Sequence, residues 1–258
     1  MLKRIILYLL PALALIVIPY TSAPGQSEKK NAYGLLVDNT ASLETQFPQV
    51  QALSREVVKR IHGRGPISLF NFITLPYRVS GAPWPPGGTK DEGRATTKTT
   101  MGVDRSEDQN ELGDYIDRLS VVKGQTQLFD AIRSMADELN VNVDSDEDSY
   151  KDKIIILITD GDQQTQLDGA FVSYPNETNI RKKQVEQLIK DLKQSGIKVY
   201  AVGLLGELDA YGGFSEKTQK ERAEYFLKKI TKETGGKAVV SMSGKININK
   251  ALDELFAK

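Results

Sequence analysis

Asp38, Thr40 and Ser42 stand at alternating positions in Asp38-Asn39-Thr40-Ala41-Ser42. One carboxylate and two hydroxyls so spaced form a cluster of hard oxygen donors, which suits Mg²⁺ or Ca²⁺ better than a soft metal. The apolar run Tyr33-Gly34-Leu35-Leu36-Val37 precedes them and reads as a strand buried on both faces. A long amphipathic segment follows. The trio therefore belongs on a turn at the carboxyl end of a central strand. Thr126 and Asp160 lie far away in sequence, at points where the same kind of fold would bring further oxygens to that turn.

The elements that must hold these groups are legible as periods. Leu43, Phe47, Val50, Leu53, Val57 and Ile61 recur every three or four residues and predict one helix, stopped by His62-Gly63-Arg64-Gly65-Pro66. Ile67 to Ile73 is the second strand, and Leu75 to Ser80 is expected to return as a short antiparallel edge strand. Residues 81–103 carry Pro83-Trp84-Pro85-Pro86-Gly87-Gly88 and then a Thr/Lys-rich stretch without apolar period, which reads as an inserted flexible loop. Ser106 to Leu119 predicts a modest helix, and Leu128, Ile132, Met135 and Leu139 mark another. Ile154-Ile155-Ile156-Leu157-Ile158 is the clearest buried parallel strand and ends in Thr159-Asp160-Gly161. A helix around Leu188, a strand over Ile197 to Val202, a helix around Phe226, a strand at Ala238-Val239-Val240 and a short terminal helix complete the order. Such alternation implies an α/β fold: a doubly wound, mainly parallel sheet with one antiparallel edge strand and helices on both faces. Ligands of such sheets bind beyond the carboxyl ends of the strands, where the winding reverses. The Tyr33–Val37 and Ile154–Ile158 strands are expected neighbours at that reversal, so Asp38 and Asp160 would face one crevice. The turn Lys123-Gly124-Gln125 can deliver the Thr126 hydroxyl there.

Asp38-x-Thr40-x-Ser42, Gly124-x-Thr126 and Thr159-Asp160-Gly161 together resemble the metal-ion-dependent adhesion site of the von Willebrand factor type A domain family. The resemblance covers roughly residues 31–257. The family's usual first motif is Asp-x-Ser-x-Ser; here Thr40 keeps the middle hydroxyl and adds a methyl. Gln125 stands where glycine is frequent. The resemblance implies that Thr40, Ser42 and Thr126 ligate through hydroxyls, while Asp38 and Asp160 act directly or through water. It implies Mg²⁺ as cofactor, with Mn²⁺ or Ca²⁺ as substitutes. Neutral hydroxyls leave the cation electron-poor, so its open position favours a carboxylate from an Asp or Glu of a protein partner. The expectation is an adhesion or protein-binding module, not an enzyme.

Composition limits the alternatives. Lys plus Arg and Asp plus Glu are 34 each, so no basic excess points to nucleic acid. The chain has no cysteine, which removes disulfides, zinc knuckles and thiol nucleophiles. Its 258 residues suit one α/β domain, residues 26–258, behind a short N-terminal segment. Met1-Leu2-Lys3-Arg4 followed by the apolar Ile5–Ile18 reads as a signal peptide over residues 1–25, with Ala23-Pro24-Gly25 before the cut. An uncleaved N-terminal anchor is the rival reading and the one route to a membrane. Either makes the domain exported: periplasmic, secreted or envelope-anchored.

Two other functions compete. A haloacid-dehalogenase-like phosphotransfer enzyme also ends its first strand in Asp, but needs a second carboxylate where Thr40 stands, and a threonine is no general acid at neutral pH. The other is the same fold without metal, binding through loops such as 81–103. Capping of the following helix by Asp38, Thr40 or Ser42 is compatible with either.

Overall fold

The structure is a computed structural model that describes residues 29–75, 96–122, 128–141, 150–161, 174–208 and 218–257. Strands β1 (Ala32–Asp38), β2 (Ile67–Leu75), β3 (Thr96–Ser106), β4 (Lys153–Thr159), β5 (Ile197–Leu204) and β6 (Ala238–Ser241) alternate with helices α1 (Phe47–Ile61), α2 (Gln109–Arg118), α3 (Leu128–Val141), α4 (Tyr174–Gln194), α5 (Gln219–Thr234) and α6 (Ile248–Phe256). The six strands form one sheet in the order β3-β2-β1-β4-β5-β6. Only β3 runs antiparallel to its neighbour.

The chain winds outward from β1 to β3, then restarts with β4 on the other side of β1. The winding reverses between β1 and β4, whose register pairs Val37 with Ile158. Every residue of β1 is buried, and its alternate side chains enter opposite cores. Leu36 joins Phe72, Ile132, Leu157 and Phe226 on one face. Leu35 and Val37 join Leu53, Val57, Ile116 and Ile156 on the other. Burial on both faces is why β1 and β4 read as unbroken apolar runs instead of alternating ones.

The structure corrects several boundaries. Leu43 lies in a 3-10 turn, Ala41–Gln46, and the α-helix begins only at Phe47. Pro48 falls in the first turn of α1, where its missing N–H costs nothing and its fixed φ favours a helix start. Leu75 ends β2, and the antiparallel partner of β2 is β3 at Thr96–Ser106; residues 76–80 of the expected edge strand lie outside the described residues. The end of the expected loop over 81–103 is thus strand. Its threonines are β-branched and favour extended backbone, while an edge strand pairs on one side and needs no continuous apolar pattern. The remainder of that loop, with Trp84, lies outside the described residues, as does the segment 1–25. Ser106 closes β3 instead of opening a helix, and Asp108 caps α2 by accepting from the Asn110 and Glu111 amides.

Candidate metal centre

Asp38 is the last residue of β1 and is fully buried. Its Oδ1 accepts from the Thr40 amide at 3.0 Å and from Thr40 Oγ1 at 2.7 Å. Its Oδ2 accepts from Thr159 Oγ1 at 2.6 Å, across the seam between β1 and β4. Thr40 Oγ1 lies 3.0 Å from Ser42 Oγ. Since Thr40 gives its proton to Asp38, Ser42 is the donor of that pair. A short polar side chain folded back onto its own amide two residues on is a typical turn device, and it tightens this turn before the 3-10 segment.

Asp160 follows β4 directly and is also fully buried. Gly161 then turns the chain with φ +76°, a left-handed conformation, and its amide donates to Thr159 Oγ1 at 2.9 Å. A Cβ on Gly161 would stand 3.1 Å from Ala223 Cβ and from Leu227 Cδ1 of α5. Both the handedness and the close approach of α5 call for glycine here. Gly161→Ala is expected to cost about 1–2 kcal/mol from the left-handed backbone. A lowered denaturant midpoint at unchanged slope checks this.

Of the five residues expected at the site, the structure brings Asp38, Thr40 and Ser42 into one hydrogen-bonded cluster and puts Asp160 one residue beyond that cluster's Thr159 partner. Thr126 lies outside the described residues. Two residues without an expected role take part. Thr159 bridges Asp38 and the Asp160-Gly161 turn, and the signal was a hydroxyl at the last position of a buried strand. Asn39 is 2% exposed; its carbonyl accepts from the Val122 amide at 2.9 Å, and its Nδ2 donates to the Ser120 carbonyl at 3.0 Å. Those bonds tie the first motif to the segment that leads, in sequence, to Thr126.

The donor set fits a small hard cation. A hydroxyl whose proton is given to a carboxylate keeps its lone pairs for another partner. Mg²⁺ and Ca²⁺ both take hydroxyl and carboxylate oxygens of this kind; the 3.0 Å between Thr40 Oγ1 and Ser42 Oγ is the hydrogen bond between them. Asp38 and Asp160 put two buried carboxyl groups at adjacent strand ends. Among the described residues, no group of 3 or more His, Cys, Asp or Glu is arranged to hold a metal. The hydrogen-bonded cluster instead combines the Asp38 carboxylate with the Thr40, Ser42 and Thr159 hydroxyls.

The comparisons agree with this architecture. A family model described as von Willebrand factor type A domain matches residues 34–254. The chain is similar in structure to the pilus adhesin SpaC from Lactobacillus rhamnosus GG, with 17% identity, a TM-score of 0.54, and coverage of 89% of this chain and 30% of that one. It is also similar to the manganese-loaded TRAP protein of Plasmodium vivax, with 13% identity, a TM-score of 0.47, and coverage of 77% of this chain and 62% of that one. The chain thus spans less than two thirds of either protein's length, and at 17% identity the likeness to SpaC is one of fold. No curated protein matches the chain by sequence. The family model covers β4, all of β1 but its first two residues, and the residues described at the ends of both strands, and the chain belongs to the von Willebrand factor type A domain family.

Proposed function

We propose that this chain is an exported protein-binding module that captures an acidic side chain of a partner through a divalent cation. The carrying observation is the cluster in which Asp38 accepts the Thr40 and Thr159 protons while Thr40 and Ser42 oxygens stand side by side. Asp38, Thr40, Ser42, Thr126 and Asp160 are the proposed metal residues. When bound, the cation supplies a Lewis-acidic corner for a carboxylate oxygen. The chain's own part is to hold two hydroxyls in register and to bury the carboxylates that offset the ion's charge. Nothing in this arrangement breaks a bond: the acid needed by a phosphotransfer enzyme is replaced by Thr40, whose hydroxyl is already committed to Asp38.

Residues 1–25 are proposed to direct export, as a cleaved signal or as an anchor. Among the described residues no helix is long and apolar enough to cross a membrane.

Titration of the full domain with Mn²⁺, followed by electron paramagnetic resonance, tests the proposal. Saturable uptake is expected, with Mg²⁺ competing for the same site. Asp160→Ala should weaken uptake by at least tenfold, and capture of partner protein from the native envelope should fail in excess chelator. Uptake that is equal in wild type and Asp160→Ala, with capture indifferent to chelator, overturns the proposal in favour of a metal-free scaffold.

A further inference from the structure

A second polar chain reaches the first motif from the edge of the sheet. Tyr115, on α2, donates its phenol proton to Asn71 Oδ1 at 2.6 Å. Asn71, on β2, donates from Nδ2 to Asn39 Oδ1 at 3.4 Å. Asn39 then donates from its own Nδ2 to the Ser120 carbonyl. Each amide accepts at one end and donates at the other, so all the bonds run in one direction. The Ser120 carbonyl can only accept, which fixes the Asn39 amide; Asn39 Oδ1 then calls for the Asn71 Nδ2 donor, and Asn71 Oδ1 is left to accept from Tyr115. Burial raises the Tyr115 pKa above its ordinary value, against the lowering by the Arg118 charge. The phenol is therefore a donor across the neutral range.

The geometry around the chain is specific. Asn39 and Asn71 are both buried. A Cβ on Gly102 of β3 would overlap the Tyr115 ring, so the ring rests on bare backbone. Asn39 sits between Asp38 and Thr40, and Thr40 forms an isolated bridge with Val122. The far end of the chain is the Ser120–Val122 segment, after which the sequence continues through Lys123-Gly124-Gln125 to Thr126.

We propose that Tyr115, Asn71 and Asn39 are positioning residues that set cation affinity without touching the cation, by holding the Asp38–Ser42 turn and the Ser120–Val122 segment in one register. This rests on the metal reading given above. Groups that orient ligands from behind typically change metal affinity on the order of 10–100-fold when removed. A chain that served stability alone would change the unfolding temperature and leave affinity as it was.

The test measures Mn²⁺ affinity and, separately, the unfolding temperature in chelator, for wild type, Tyr115→Phe, Asn39→Ala and Tyr33→Phe. Tyr115→Phe keeps the ring against Gly102 and loses only the hydroxyl. Tyr33→Phe is the control: it deletes another phenol oxygen, the acceptor of Asn31 Nδ2 at 2.8 Å, at the opposite end of β1. Expected is Mn²⁺ binding weakened about tenfold in Tyr115→Phe and up to about a hundredfold in Asn39→Ala. In chelator, Tyr115→Phe should unfold only a few degrees below wild type, for the one acceptor left without its partner. Tyr33→Phe should bind Mn²⁺ as wild type does. Wild-type affinity in both Tyr115→Phe and Asn39→Ala overturns the positioning role alone, and so does an equal loss in Tyr33→Phe. A wild-type chain that takes up no Mn²⁺ overturns the metal reading and the positioning role with it.

Discussion

Asp38→Ala is expected to destabilise the metal-free domain by about 3 kcal/mol and to abolish its response to divalent cations. The substitution leaves the Thr40 amide, the Thr40 hydroxyl and the Thr159 hydroxyl without their acceptor, in a place where Asp38 itself is fully buried. Each orphaned buried donor costs about 1–3 kcal/mol. Removing a desolvated carboxylate returns part of that, because its burial was itself unfavourable. For a domain of this size, about 3 kcal/mol corresponds to roughly 6–12 °C in unfolding temperature, read by calorimetry in chelator. Asp38→Asn separates the two contributions. It keeps an oxygen acceptor for Thr40 and so should cost only about 1 kcal/mol, yet it should lose the cation response as fully as the alanine does. A full response to Mg²⁺ in either variant would show that the carboxylate charge has no part in holding the ion.

The second large effect is that of the cation on the wild-type chain. An ion that binds the folded state and not the unfolded one adds about 2.7 kcal/mol of stability at a hundred times its dissociation constant. That shifts the unfolding temperature upward by about 5–11 °C. Excess chelator should return the transition to its lower position, and the shift should grow with the logarithm of free Mg²⁺. Asp38 and Asp160 are both buried at adjacent strand ends, so a cation bound there would gain its charge–charge attraction in the folded state only. Superimposed melting curves in Mg²⁺ and chelator, at millimolar ion, would contradict the proposed function directly.

Both effects depend on where two strands end. A parallel sheet reversing between β1 and β4 brings Asp38 beside Thr159 although they are 121 positions apart. Sheets of this kind open a crevice at such a reversal, because connections from the two strands leave to opposite sides. Gly161 lets the chain turn away at once, and α5 closes against it.

The amino-acid sequence alone determined the order of strands and helices, the reversal between β1 and β4, and the identity of the turn that carries Asp38, Thr40 and Ser42. It could do so because β1 and β4 are buried on both faces, so their apolar runs are unbroken, and because alternating oxygens on one turn are a local pattern. The tertiary structure decided the rest. β3 was hidden because an edge strand pairs on one side and needs no apolar period. The start of α1 was hidden because a hydrogen-bonded turn and Pro48 divide a stripe that looks continuous. Thr159 as a bridge, and the chain from Tyr115 through Asn71 to Asn39 and Ser120, involve partners 121, 44, 32 and 81 positions apart. Hydrogen bonds of that kind leave no periodic trace in a sequence, since their donors and acceptors meet only after the sheet has assembled.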